Sequence, residues 1–242
     1  MKVRSLFISD CHLGSDHCNH EKLLKLLSEV ECEYLYIVGD FIDGWLLSRK
    51  FKWNSNYNTI LQKILRMSRK GTQVYYIWGN HDDFVETFNG FNFGDNIHVV
   101  RETCHTTLNN EKILIIHGDQ FDGLVTKNKW IQHVGAIIYD YSLVVNKLFR
   151  IFKFSFSNFL KQKAKEAVKY ISNYETTVVN YCRNSGYDSI LCGHIHKPEI
   201  TTIEGVKYYN TGDWVESNTF IIETTDGDIQ LLKYENTIWS SN

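Results

Sequence analysis

An α/β fold, with a mixed sheet or a pair of packed sheets and helices outside, is predicted by three observations on this 242-residue chain. The first half alternates short apolar runs with helical patterns. Later apolar runs lie closer together, as strands of hairpins do. No repeat or low-complexity linker separates the two halves, and the only proline is Pro198. A chain of this length can bury one sizeable core, so a single domain over 1–242 is expected.

The elements follow in order. RSLFI is a strand, HEKLLKLLSEV has leucines at helical spacing, and YLYIVG is a second strand. NTILQKILRMSRK is a second helix and VYYIWG a third strand. Strand, helix, strand, helix, strand implies right-handed crossovers and a parallel sheet. IHVV, TTL and KILIIHG read as strands, SILCG as another, and EITTIEGVKYYN, TFIIET and DIQLLKY as antiparallel strands and hairpins. Together they predict two sheet layers or one mixed sheet.

Composition narrows the function classes. A net charge of −2 predicts no strong overall attraction to nucleic acid or acidic membranes, so any basic surface is local. The six cysteines are scattered (Cys11, Cys18, Cys32, Cys104, Cys182, Cys192) and form no CxxC pair. That argues against a zinc ribbon or a disulfide framework and for reduced thiols in a cytoplasmic protein. The N-terminal apolar stretch is only LFI, too short for an export signal, and no run reaches the roughly 18 apolar residues of a membrane span.

Residues 127–169 break the rhythm, being helical in character, apolar and basic at once. Nine Lys or Arg stand there against two acids, Asp140 and Glu166, among Trp130, Val134, Ile138, Leu148, Phe152 and Phe159. A helical insertion over about 124–176 is expected. Its apolar side either packs on the core or meets lipid, with the lysines toward lipid phosphates or an anionic bilayer surface.

Five strand ends carry the chemistry. RSLFI leads to Asp10 and His12, YLYIV to Asp40 and Asp43, and VYYIW to Asn80, His81, Asp82 and Asp83. KILII leads to His117 and Asp119, and SILC to His194 and His196. Ligands of α/β sheets gather at such carboxyl ends. Alternation brings Asp10 together with His12, and His194 with His196, while Cys11 and Ile195 face away. Clustered carboxylates repel one another unless cations sit among them, so the set predicts a metal site. Mixed nitrogen and oxygen donors without thiolate suit Mn²⁺, Fe, Co or Zn better than Ca²⁺, and Mn²⁺ is favoured.

In order along residues 10–196, the motifs DxH, GDxxD, GNHD, HGD and GHxH make the chain resemble the calcineurin-like metallophosphoesterases. The resemblance implies a two-layer mixed β-sandwich flanked by helices, the α/β/β/α metallophosphoesterase fold, with two divalent ions at one edge. Carried over by position, Asp10, His12, Asp40 and His196 hold one ion. Asp40 bridges to a second, completed by Asn80, His117 and His194. His81 becomes the imidazole near the leaving oxygen, Asp82 its orienting partner, and Asp43 and Asp119 acceptors behind the ligands. Asp83 is expected to be only a helix cap, and His17, His20, His98, His105 and His133 surface or structural residues.

GDFIDGW, HGDQFDG, GHIHKPEI and TGDWVESNTF are similar to the UDP-2,3-diacylglucosamine diphosphatase branch of lipid A biosynthesis. That branch cleaves a UDP-linked lipid to UMP and a diacylglucosamine 1-phosphate, and receives the acyl chains at a helical insertion. The resemblance implies peripheral contact with the cytoplasmic face of the inner membrane. Asp122, Lys165 and Lys169 are the candidate substrate contacts, Asp122 to a sugar hydroxyl and the lysines to phosphate or sugar. At position 81 that branch carries arginine, whereas histidine is the general phosphoesterase choice. A soluble nucleotide or cyclic nucleotide phosphodiesterase, and a hydrolase of another lipid-linked diphosphate, are therefore the alternatives.

Overall fold

The computed structural model describes residues 1–125, 155–235 and 238–241. The chain runs through β1 (Lys2–Ile8), α1 (His20–Glu29), β2 (Glu31–Val38), α2 (Gly44–Arg49), α3 (Ser55–Arg69) and β3 (Gln73–Ile77). A 3₁₀ turn (Asp83–Phe88) leads to β4 (Ile97–Val100), β5 (Glu102–Thr106), β6 (Lys112–Ile116) and α4 (Asp122–Val125). The long α5 (Ser155–Asn184) precedes β7 (Ser189–Cys192), β8 (Glu199–Ile203), β9 (Val206–Asn210), β10 (Thr219–Glu223), β11 (Ile229–Glu235) and β12 (Ile238–Ser241).

Two sheets result. The seven-stranded one has the order β12-β11-β10-β1-β2-β3-β4, with β1 to β4 parallel. The five-stranded one has the order β5-β6-β7-β9-β8, with β6, β7 and β9 parallel. In register, Leu6 faces Leu35 and Phe7 faces Tyr36.

Strand alternation explains the layering. Phe7 points inward and meets Tyr36, Ile77, Ile113, Leu191 and Tyr209 between the sheets. Leu6 and Ile8 point outward, where Leu23, Leu26 and Leu27 of α1 and Ile60 and Ile64 of α3 cover them. Both faces of β1 are buried, hence the unbroken apolar run LFI. Each wholly buried leucine of α1 contributes roughly 1.5–3 kcal/mol. On the far side, Tyr174, Val178, Val179 and Cys182 of α5 pack on Leu114, Ile116, Ile190 and Tyr208.

Three details differ from expectation. The strand expected at 106–108 lies at Glu102–Thr106 instead. Thr107 is already in a turn closed by Glu111, and Leu108 is exposed. Helix α2 and strand β12 had no counterpart in the sequence reading. Of the insertion expected over 124–176, residues 126–154 lie outside the described residues, including Trp130, His133, Val134, Ile138, Leu148 and Phe152. The helical part continues past 176 to Asn184. No described helix is long and apolar enough to cross a membrane.

Candidate metal centre

The polar clusters sit just past the carboxyl ends of β1, β2, β3, β6 and β7, on one edge of the sandwich. Five of their side chains leave the backbone from left-handed conformations: Asp10 (φ 50°), His12 (48°), Asp40 (50°), His194 (66°) and His196 (53°). Such φ values are uncommon outside glycine and concentrate at functional sites. The alternation argued from extended strands is therefore corrected. β1 ends at Ile8 and β7 at Cys192, and left-handed turns aim the side chains beyond them.

Those turns sort the residues into groups whose donor atoms lie within 4.8 Å of one another: Asp10, His12 and His196; Asp40, His117 and His194; and His12, Asp43 and His81. His194 and His196 thus fall into different groups instead of meeting at one point. Glycines make the approach feasible. A methyl group on Gly79 would collide with Asp40 and His117, and one on Gly193 with Asp10.

The donor set fits divalent ions. Asp10 Oδ1, His12 Nε2, Asn80 Oδ1 and His117 Nε2 are buried polar atoms without a hydrogen-bond partner among the described residues. An orphaned buried polar group is costly, and four in one place call for a ligand. His196 Nε2 stands 3.1 Å from Asp10 Oδ1, and His117 Nε2 3.3 Å from Asp40 Oδ2, without hydrogen-bond geometry. Two atoms each about 2 Å from one ion stand about 3 Å apart. His117 also gives its Nδ1–H to the Val38 carbonyl at 2.9 Å, which leaves the lone pair on Nε2.

The charges agree. Burial alone would raise the Asp10 carboxyl, but the imidazole of His196 outweighs it and draws it down to about 2. For His196 burial disfavours the charged ring, and Asp10 prevails, raising it to about 9. Asp40 is likewise held well below the usual carboxylate range, against its burial, by His117 and its neighbours.

Residues 3–198 match the family model of the calcineurin-like phosphoesterases. The chain belongs to that family. As a calcineurin-like phosphoesterase it is a hydrolase, with groups of side chains able to hold divalent metals. It is similar to proteins named UDP-2,3-diacylglucosamine hydrolase. The one from Proteus mirabilis is 25% identical, over 95% of this chain and 98% of its own. That of Shewanella sp. (strain MR-4) is 25% identical, over 96% and 99%. Among solved structures, Yfce, a phosphoesterase from E. coli, superposes with TM-score 0.50 at 14% identity, covering 98% of this chain and 96% of its own. A single mutant of Vps29 from Entamoeba histolytica gives 0.50 at 12%, with the same coverages. Both show the fold.

Around this cluster two expected neighbours, Asp82 and Asp119, make other contacts, while Asp43 lies behind His12 as expected. Asp82 does not hold His81. Wholly buried, it accepts from the N–H groups of Asp40 (3.3 Å), Phe41 (3.0 Å) and Gly79 (2.6 Å) and from Tyr76 Oη (2.7 Å). The carboxylate beside His81 is Asp43, with Oδ1 3.2 Å from His81 Nδ1 and Oδ2 3.4 Å from His12 Nδ1. Asp119 turns to Arg101 (2.7 Å), whose guanidinium lies 4.1 Å from the centre of the Trp78 ring and donates to the Trp78 carbonyl. Asp122 is buried, with Oδ1 2.8 Å from His194 Nε2 and 2.6 Å from Tyr170 Oη. Lys165 and Lys169 are exposed on α5.

Asp83 begins the 3₁₀ turn, with Asp82 at the cap position. His105, expected to be surface or structural, is buried in a hydrogen-bonded cluster with Glu223, Ser5 and Tyr36. Sequence reasoning missed Tyr170, Arg101 and Trp78. Trp78 directly precedes GNHD, which is the one signal that could have found it.

Proposed function

We propose that the centre binds two divalent ions, Mn²⁺ by preference. Asp10, His12, Asp40 and His196 would take one, and Asp40, Asn80, His117 and His194 the other. We further infer that it hydrolyses the diphosphate of UDP-2,3-diacylglucosamine to UMP and a diacylglucosamine 1-phosphate. The observation that carries the reading is the convergence of unpartnered buried donors at the strand ends of a chain aligned over nearly its whole length with hydrolases of that name.

Such ions supply Lewis acidity toward phosphoryl oxygens and acidify a water. The chain supplies the rest. Asp43, fixed by the Leu46 N–H at the start of α2, orients both His12 and His81. Burial disfavours the charged His81 ring, but the Asp43 and Asp40 carboxylates outweigh it and raise its pKa, which suits a proton donor to a leaving oxygen. Trp45 covers His81, with ring centres 4.3 Å apart. The apolar and basic segment 127–169 would face lipid at the cytoplasmic surface of the inner membrane.

Purified protein with Mn²⁺ should release UMP from the UDP-linked lipid. Turnover confined to soluble esters would sink the lipid assignment. The imidazole at position 81 favours a second reading, a soluble nucleotide or cyclic nucleotide phosphodiesterase or a hydrolase of another lipid-linked diphosphate. Comparing kcat/KM across such a panel separates them.

A further inference from the structure

The imidazoles of the second half-site are held from opposite sides. His117 is fixed through Nδ1 by a backbone carbonyl, which presents Nε2. His194 is fixed through Nε2, 2.8 Å from Asp122 Oδ1. A carboxylate can only accept, so Nε2 carries the proton and the lone pair is left on Nδ1. The same Oδ1 accepts the Tyr170 hydroxyl at 2.6 Å.

We propose that Asp122 and Tyr170 are positioning residues that set the tautomer of His194 and tie the second half-site to helix α5. Asp122 begins α4 directly after the HGD loop, and Tyr170 comes from the opposite wall. One turn further along α5, Tyr174 packs its ring with its centre 5.9 Å from that of His194, in space that only a glycine at 118 leaves open. Two elements, α4 and α5, therefore converge on one imidazole whose own backbone is left-handed. Left to itself, a ring in that setting would sample both tautomers and several orientations. The carboxylate removes the first freedom, and the aromatic packing limits the second.

The inference rests on the reading of His194 as a metal ligand, and its test separates the two. Calorimetric titration of the metal-free protein with Mn²⁺ should show two sites in the wild type. Asp122→Ala should weaken the second about 10–100-fold and leave the first within about twofold. Asp122→Asn, whose carboxamide oxygen can still accept the Nε2 proton, should restore most of the loss, and Tyr170→Phe should weaken the second site by a few-fold. Equal weakening at both sites, the mark of a purely structural role, overturns the proposal, and so does unchanged affinity in Asp122→Ala. Should that variant not fold, Tyr170→Phe decides alone, and wild-type affinity in it overturns the proposal. If the wild type binds no metal, the reading of function fails while the relay is still tested. Nitrogen NMR of the histidines should then find His194 protonated at Nε2 in the wild type and mixed between tautomers in Asp122→Ala, and a wild-type His194 protonated at Nδ1 overturns it.

Discussion

Asp43 and Asp82 stand three and forty-two positions from Asp40, and it is Asp43 that takes the place beside His81 which adjacency in sequence suggests for Asp82. Asp43 reaches two imidazoles, whereas Asp82 closes the backbone turns that carry Asp40 and Asn80. Different losses follow. His81→Ala should slow turnover about a hundredfold or more while the metal content persists, and loss of metal in that variant would show that His81 is a ligand. Asp82→Ala leaves three backbone N–H groups and the Tyr76 hydroxyl without their acceptor, a cost on the order of 3 kcal/mol. Urea unfolding of the metal-free protein should show a large fall for Asp82→Ala and a small one for His81→Ala. Proximity in sequence suggested that Asp82 serves His81. The turn between them points the two side chains apart, and only coordinates reveal that.

At the scale of elements, a second polar cluster joins the sheets away from the ligands. Glu223 on β10 takes both oxygens to Arg4 of β1 (2.8 and 2.7 Å), one to His105 of β5 (2.7 Å) and one to the Leu108 N–H (2.8 Å). His105 is also 2.9 Å from the Tyr36 hydroxyl on β2. Burial raises the Glu223 carboxyl, but the His105 hydrogen bond and its other donors overcome that and draw it down to about 2, from an ordinary 4.5. A carboxyl that ionises more readily in the folded chain stabilises the fold fully above about pH 4.5, and that contribution fades as pH falls toward 2. Glu223→Gln should therefore lose stability at neutral pH and flatten the acid limb, read from unfolding midpoints of metal-free protein between pH 2 and 6. The elements themselves were largely readable: the β1–α1–β2 and α3–β3 periodicities are strong because both faces of the sheet are buried. Helix α2 escaped notice because six residues with no buried side chain leave no apolar stripe.

For the whole molecule, ordered motifs along residues 10–196 make the family, and the side chains that gather at the strand ends, readable before any coordinates. The supporting contacts were not, since Tyr170 lies forty-eight positions from Asp122 and nothing local marks the pair. Substrate choice belongs to this scale as well. Replacing residues 126–154 by a short flexible linker should spare hydrolysis of a small chromogenic phosphodiester and abolish release of UMP from the lipid. Equal loss of both activities would make that segment part of the fold and not of substrate choice.

The left-handed backbones at Asp10, His12, Asp40, His194 and His196 bear on how such a protein changes over time. Each holds a residue where a side chain costs on the order of 1–2 kcal/mol that glycine would not incur. At Asp10 and Asp40 the carboxylates accept the N–H groups of His194 and His81, which opposes exchange for glycine. Drift under selection for folding alone would carry the three histidine positions toward glycine. A mutational library scored for thermal survival in chelator, then for phosphodiester turnover, should rank glycine at these sites above most other replacements in the first screen and discard it in the second.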